Sequence, residues 1–263
     1  LKKNITQGFN GSVTLNYGQG VYAKTNNSIM LNYRTSKINT FLNYGYSINK
    51  GFMDFDIQRN FFGTTGIKIS ELDQQSNRIN KSQNNNLKLG LDYFINKQTT
   101  LGIVTTGFLA PQKQAGFTTS YLKDGNDNIN SIEKTIRKVD NTWKNGAVNI
   151  NFHSSFDSSK KDIAANFDYL HYDFSGNQDI TGLTYNPNQI LQADNHLKNL
   201  LPLTIDIYSG RLDYAQPLNN GVKLETGIKS SLVKTNNVSN FYNLSNSKWL
   251  TDSTLSNAFN YSE

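Results

Sequence analysis

The feature that most limits the fold is a strict alternation of apolar and polar residues, clearest in residues 8–17, 87–95 and 222–232. In the second run, Leu87, Leu89, Leu91, Tyr93 and Ile95 alternate with Lys88, Gly90, Asp92 and Phe94. Because successive side chains of a strand point to opposite faces, this pattern predicts strands with one apolar and one polar face. Each run has about 9 to 11 residues, the length that a tilted strand needs to cross the hydrocarbon of a bilayer.

The composition agrees with a sheet that has one face in lipid and the other in water. Apolar residues make up 36% of the chain and charged residues only 17%, so Asn, Ser, Thr, Gln and Gly supply most of the polarity. Charge-rich disordered chains contain few aromatics, whereas this chain has 14 Tyr and 15 Phe. A transmembrane β-barrel combines neutral polar residues with aromatics in this way.

Several other classes of protein are disfavoured. The chain has no cysteine, which excludes disulfide scaffolds, thiolate metal sites and cysteine nucleophiles. The net charge of +6 is spread along the chain, whereas nucleic-acid binding usually needs a clustered basic face. The longest apolar stretches, Leu101–Ala110 and Leu200–Tyr208, are too short for a membrane helix. No signal peptide is visible at Leu1, so we expect either that an export segment was removed or that the chain is an internal fragment.

The spacing of turn residues predicts short and long connections in alternation. We expect tight turns at Thr35-Ser36, Asn96–Gln98, Asp157–Lys161 and Asn219–Gly221. Between them lie long polar stretches, which we interpret as loops, at Leu72–Lys81, Lys123–Val139 and Gly176–Lys198. Short turns on one side and long loops on the other are typical of bacterial outer-membrane barrels.

Extending outward from the turns predicts nine strands, near 8–18, 26–34, 37–60, 82–95, 98–122, 140–156, 161–175, 200–218 and 221–243. The apolar phase changes between Ile207 and Leu212, so we expect a β-bulge near Ser209-Gly210. The predicted fold is all-β: one incomplete domain over residues 1–263, forming the wall of an antiparallel up-and-down transmembrane β-barrel. This partial barrel would contain about nine or ten long strands.

The cost of placing charge in lipid assigns the two faces of this wall. A charge that faces the middle of the bilayer costs about 2–4 kcal/mol, so charged residues should face the lumen. Parity then gives these lumen-facing candidates: Lys88, Asp92, His153, Asp168, Lys223, Glu225 and Lys229. The candidates for aromatic belts at the membrane interfaces are Tyr17, Tyr33, Tyr44, Tyr93 and Tyr169. The alternative is that these tyrosines pack in the core of a soluble sheet.

A series of short motifs resembles a known family. In order, they lie at 1–4, 7–13, 31–34, 90–94, 100–102, 223–229, 241–244 and 259–263. Their order and spacing resemble the TonB-dependent receptor-like outer-membrane β-barrel proteins of Gram-negative bacteria. The resemblance implies a cylinder of about 22 strands around an N-terminal plug, energised by an inner-membrane partner. The 263 residues contain no plug or partner-binding segment and only about nine or ten of these strands, so we expect them to form the first part of the barrel wall.

No pattern of catalytic or metal-binding residues accompanies these strands. His153, His171 and His196 are scattered and lack acidic or thiol partners at ligand spacing. Asp124, Asn126 and Asn128 have the alternate spacing of a calcium loop, but the glycine that such a loop requires is missing. We therefore expect neither an enzyme nor a bound metal or cofactor.

Three functional hypotheses follow. The first is an importer in the bacterial outer membrane. The resemblance implies that it takes up a siderophore, oligosaccharide or peptide, and the predicted loops would make the first contact with this solute. The second is a non-transporting surface barrel, either an adhesin or an assembly factor, or else a passive pore. The third is a soluble β-rich binding module, whose apolar face would pack against a second sheet. The expected partners are outer-membrane lipid and a small solute, with a plug and an energy-transducing partner implied by the resemblance, and no nucleic acid.

Overall fold

A computed structural model describes residues 7–156, 161–218 and 222–263. The regular elements in these ranges are eleven strands: β1 (Gly8–Gln19), β2 (Ala23–Arg34), β3 (Ile38–Phe62), β4 (Lys68–Phe94), β5 (Thr99–Asp124), β6 (Ile129–Phe156), β7 (Lys161–Tyr185), β8 (Leu191–Pro217), β9 (Lys223–Ser245), β10 (Lys248–Thr251) and β11 (Asn257–Ser262). The first motif at 1–4 and the predicted turn at 219–221 lie outside the described residues. So does the predicted turn at 157–161, apart from Lys161.

The strands form one antiparallel sheet in which β1 to β9 follow each other in sequence order. This confirms the predicted up-and-down topology and the nine long strands. The two short strands were not predicted; β10 and β11 both pair with β9 and together form one edge of the sheet. The other edge is β1, and within the described ranges the two edges do not pair with each other, so the sheet is open.

The three long polar stretches are strand, so the prediction of loops there was wrong. Residues 72–81 lie within β4, and 123–139 and 176–198 are interrupted only by turns at 125–128 and 186–190. Hydrophobic alternation arises where one face of a strand meets water and the other does not. In these extensions both faces are mostly polar, so the alternation disappears although the backbone ladder continues.

The pairing register is continuous through Ser209-Gly210, so the expected bulge there was also wrong. Gly210 pairs with Phe167, and Ser209 pairs with both Asp168 and Ser231. The apolar phase changes because Ile207 and Leu212 lie on opposite faces of an unbroken strand. Register shifts occur instead at Phe61/Phe62, Leu122/Lys123 and Thr184/Tyr185, close to the turns.

Two of the predicted tight turns are confirmed, and local side-chain caps explain their geometry. The Thr35 hydroxyl accepts hydrogen bonds from the backbone N–H groups of Lys37 and Ile38, at 3.2 and 3.1 Å. The Asn96 carboxamide accepts from the N–H groups of Gln98 and Thr99, both at 2.8 Å. Such bonds stabilise a turn of the backbone. We call this end of the sheet the tight-turn end.

The register defines two faces, because directly paired residues of neighbouring strands project to the same side. One row of paired residues consists of Leu31, Leu42, Leu89, Thr105, Val148, Tyr169, Tyr208 and Leu232. We call the face of this row the outer face and the opposite one the inner face. Only one apolar side chain of the described residues, Ile132, is buried. The described part of the sheet therefore has no apolar core, and its large apolar residues are exposed or half-buried.

The apolar band of the outer face runs obliquely across the strands. On β1 the band ends at Tyr17, which lies in the row of Gln83. On β9 it ends at Leu232, which lies in the row of Leu89. Spread over the intervening strands, this displacement corresponds to a strand tilt of about 30°. Outer-membrane barrels have tilts of about 35–45°, so the sheet is inclined in the manner of a barrel wall but slightly less steeply.

Candidate functional site

The outer face carries no charged side chain in the central rows of the apolar band. The three outer rows that contain Leu89, Leu91 and Tyr93 include no charged side chain among the described residues. Their large apolar side chains are mostly exposed; Phe167, for example, is 49% exposed. No second sheet covers them in the described ranges. Within these ranges the apolar face therefore lacks the packing against a second sheet that a soluble two-layer module would need.

All five belt candidates lie on the outer face. Tyr33 and Tyr93 lie near the tight-turn end of the band, and Tyr17, Tyr44 and Tyr169 lie near its other end. Interfacial belts require aromatic residues at both margins of the band, and this placement fits that requirement. Their contact with headgroups stays a prediction.

Tyr208, which was not among the candidates, also lies on the outer face, and its ring stacks on Tyr169 at a centroid distance of 4.9 Å. The Tyr169 hydroxyl donates to Asp206 at 2.9 Å, and Nδ1 of His171 lies 2.8 Å from the same oxygen. Cross-strand pairing alone brings these residues together. The periodicity of a single strand could not have identified the cluster.

All seven lumen-facing candidates lie on the inner face, in two groups. Lys88 and Asp92 lie on β4. The other group lies across β6 to β9 and contains His153, Asp168, Lys223, Glu225 and Lys229. Within this second group, His153, Lys223 and Glu225 line a depression of about 540 Å³.

Three further charged residues, which sequence analysis missed, line the same depression. They are Asp162, Arg211 and Asp213. Nε2 of His153 lies 3.6 Å from Asp162, and Nε of Arg211 lies 2.6 Å from Asp213. Arg211 also pairs directly with Lys229 across the strands. The inner face near the tight-turn end is thus densely charged, with both signs close together.

Amide side chains hold two of the inner carboxylates. Asp168 accepts a hydrogen bond from Nδ2 of Asn149 at 2.6 Å, and Oδ1 of Asn149 accepts one from Asn151 at 3.1 Å. Asp92 accepts from Nδ2 of Asn39 at 3.1 Å. Hydrogen bonds to an ionised acceptor are stronger than neutral ones, so these carboxylates have defined positions.

Farther from the tight-turn end, the inner face carries an aromatic pair. The rings of Trp143 and Phe174 lie 4.4 Å apart at an interplanar angle of 34°, and the pair is flanked in its row by Ala110 and Leu203. A Cβ at Gly176 would lie 3.0 Å from the Phe174 ring, so glycine leaves space for that ring. We call Trp143 and Phe174 the inner platform. Periodicity could not identify this pair, because both residues lie in strand segments without regular alternation.

A group of hydrogen-bonded polar side chains begins two inner rows beyond the inner platform. Gln114 donates to Oδ1 of Asn80 at 2.5 Å and accepts a hydrogen bond from Nη1 of Arg137 at 3.0 Å. The platform, with Trp143 40% exposed, therefore offers an apolar aromatic surface on the same face as these hydrogen-bonding groups. Aromatic faces bind rings, apolar groups and cations, so this arrangement can hold an organic solute.

An ionic network at the far end of the outer face ties three strands together. The nearly buried Glu71 carboxylate accepts hydrogen bonds from Lys68 at 2.5 Å, Lys123 at 2.9 Å and Gln58 at 3.1 Å. These bonds lower the pKa of Glu71 to about 2, with that from Lys68 contributing most. Lys68 also bonds to Asp127 in the turn, so the network links the strand ends to the connection between β5 and β6.

The suspected calcium loop is a capped turn. Oδ1 of Asp124 accepts hydrogen bonds from the backbone N–H groups of Asn126 and Asn128, at 2.8 and 2.9 Å. The carboxylate is thus occupied by its own turn. The described ranges contain no group of three or more His, Cys, Asp or Glu side chains that could hold a metal ion. In those ranges, too, no helix has the length and apolar character required to span a membrane.

Comparison with known families gives one match. Residues 154–263 match the model of the Outer membrane protein beta-barrel family. This match indicates that the chain is located in the bacterial outer membrane and agrees with the tilted, up-and-down sheet described above. No curated protein matches the chain.

Proposed function

We propose that this chain forms part of the wall of a TonB-dependent receptor-like transporter that imports an organic solute across the outer membrane. The observation that supports the proposal is the separation of the faces within the band. Its central outer rows carry no charge among the described residues, while Lys88, Asp92 and Asp168 lie between them on the inner face. A wall with a charged inner face encloses water, as a transport path requires.

The inner platform would make an early contact with the solute. Trp143 and Phe174 lie on β6 and β7 between the membrane band and the strand extensions that replace the predicted long loops. From there the solute would pass to the charged inner face near the tight-turn end. The candidate solutes remain a siderophore, an oligosaccharide or a peptide, since each has rings or apolar groups that can stack and polar groups that can bond to Gln114 or Arg137.

The remaining parts of the machinery follow from the family resemblance. A plug would fill the barrel until an inner-membrane partner supplies energy to move it. In this proposal the chain is not an enzyme and needs no cofactor; its inner face binds and guides the solute.

Uptake by cells that carry the full-length protein tests this proposal. A deletion strain complemented with wild type would be offered labelled siderophores, oligosaccharides and peptides, with and without a protonophore. We expect one solute class to accumulate only when the inner membrane is energised. Trp143→Ala combined with Phe174→Ala should reduce its uptake by about tenfold, since loss of stacking costs about 1–1.5 kcal/mol.

Trp249→Ala is the matched control, because Trp249 is also partly exposed but lies on β10, outside the inner platform. It should leave uptake unchanged. Accumulation that is insensitive to the protonophore would contradict active import and indicate a passive pore. Attachment of cells to a surface without accumulation of any solute would indicate an adhesin.

A further inference from the structure

The outer face carries an unusual arrangement of lysines just beyond the apolar band. Lys50, Lys81 and Lys113 are direct cross-strand partners on three adjacent strands, β3, β4 and β5. Cβ atoms of such pairs lie about 4.5–5.5 Å apart, and like charges in direct opposition destabilise a sheet. A fourth lysine, Lys138, lies on β6 opposite Ala115, diagonal to Lys113.

The neighbouring acidic residues neutralise only part of this charge. Lys113 pairs with Asp140 at 3.1 Å, and the ammonium of Lys50 lies 3.9 Å from the centroid of the Tyr22 ring. Lys81 and Lys138 form no ion pair with any described residue, and both are exposed. Lys138 lies directly opposite Asp179 on β7 without forming an ion pair, and the direct cross-strand partners of Lys81 are both lysines.

These lysines surround a groove rather than a flat surface. The groove has a volume of about 410 Å³ and is lined by Lys81, Lys113 and Lys138, with Ile79 and Ala115 between them. Two aspartates also line it: Asp140, which pairs with Lys113, and Asp179, which lies opposite Lys138 and 3.9 Å from Lys198. We call this the lysine groove. Its cations converge on one space whose floor is apolar and small, which suits an anionic group attached to a larger molecule.

The position of the groove relative to the membrane selects the source of the anion. Lys113 lies four residues beyond Leu109, the last apolar residue of the β5 band. At the tilt of an outer-membrane strand this is about 10 Å beyond the hydrocarbon. The headgroup layer of a phospholipid bilayer extends only about 5–8 Å, so a thicker headgroup is needed. The extended strand ends mark the external side, since long external segments distinguish that side of such barrels.

We propose that the lysine groove binds the phosphorylated sugar headgroup of an outer-leaflet glycolipid. The acyl chains would lie against the outer apolar band below, and the phosphates would bond to Lys81, Lys113 and Lys138. Charge-assisted bonds from lysine to phosphate offset the repulsion between the neighbouring ammonium groups. Lysine stems can also bend toward the membrane and shorten the remaining gap.

Glycolipid that stays bound during purification tests the proposal. Full-length protein, solubilised from outer membranes in mild detergent, would be analysed by native mass spectrometry and by phosphate content. The test variant combines Lys81→Gln, Lys113→Gln and Lys138→Gln. The control combines Lys37→Gln, Lys97→Gln and Lys248→Gln, which removes the same charge from exposed turns and an edge strand. A heat-dependent shift in gel mobility would establish that every variant is folded.

We expect wild type and the control to retain glycolipid. The test variant should retain at least about tenfold less, because each lysine near an anionic surface contributes to the electrostatic attraction of the lipid. Replacing the same three lysines by arginine should preserve binding. In vesicles, purified lipopolysaccharide should restore the bound lipid, whereas its dephosphorylated form and phosphatidylglycerol should not. Equal retention by wild type and the test variant would overturn the proposal. So would equal recovery with dephosphorylated lipid, or the same loss in the arginine variant as in the glutamine variant.

Discussion

Two adjacent residues of β5 provide a direct test of which face meets lipid. Ile103 lies on the outer face in the row of Leu91 and Ile150, whereas Val104 lies on the inner face between Gly90 and Asn149. Both are β-branched and both occur in the same stretch of strand. Substituting each by arginine therefore introduces the same charge at the same depth and changes only the face.

The expected cost differs strongly between the two positions. An arginine that faces lipid near the middle of the bilayer destabilises a barrel by about 2–4 kcal/mol. Ile103 lies in the half of the band closer to the tight-turn end, so the side chain can reach partly toward the interface, and we expect about 2 kcal/mol. This corresponds to about a 30-fold shift in the folding equilibrium. Val104→Arg should cost well under 1 kcal/mol because the inner face is solvated and already carries charge.

Equilibrium unfolding of the full-length protein in lipid vesicles, followed by tryptophan fluorescence against guanidinium concentration, would measure both values. The two variants should have the same dependence on denaturant and different midpoints. Equal destabilisation of the two variants, or a larger effect at Val104, would refute the assignment of the faces.

Two further outcomes concern the ends of the strands. Glu71→Gln should lower the unfolding temperature at pH 7. Because the pKa of Glu71 is about 2 in the folded state and 4.5 ordinarily, the difference from wild type should vanish as the pH falls from about 4.5 to 2. A difference that persists at pH 2 would contradict this. Gly125→Ala should destabilise the β5–β6 connection by about 1–3 kcal/mol, because its Cβ would lie 2.4 Å from the backbone oxygen of Lys68. Gly182→Ala, which meets no atom within 4 Å, is the control, and protection of the turn amides from hydrogen exchange would reveal the difference.

Much of the fold was predictable because lipid imposes a clear pattern. Within the band, each strand meets hydrocarbon on one face and water on the other, so alternation places Leu89 and Lys88 on opposite faces. The same pattern predicted the nine strands and the placement of all seven charged candidates on one face. Turn chemistry located the connections at Thr35 and Asn96 for a separate, local reason.

The strand extensions and the platform could not be predicted in the same way. Beyond the band, strands such as β6 have water on both faces, and residues such as Thr142 and Asn145 then give no periodic signal. Trp143 meets Phe174 only through the register between β6 and β7, which depends on pairing along both complete strands. The same holds for Asp162 and Arg211, since each gains its neighbours from another strand. The local sequence therefore predicts which face of the sheet a side chain occupies, whereas its neighbours on adjacent strands follow only from the pairing register.

The location of the three register shifts has a consequence for how such a wall can change in length. All three lie near strand tips, and the pairing is unbroken where hydrocarbon surrounds the sheet. A single residue inserted beside Leu89 would rotate every following side chain by half a turn and expose Asp92 to acyl chains. One inserted beside Phe62 or Tyr185 would be absorbed by an existing irregularity. We therefore expect insertions and deletions to be tolerated only near these strand tips, where the pairing register is already shifted.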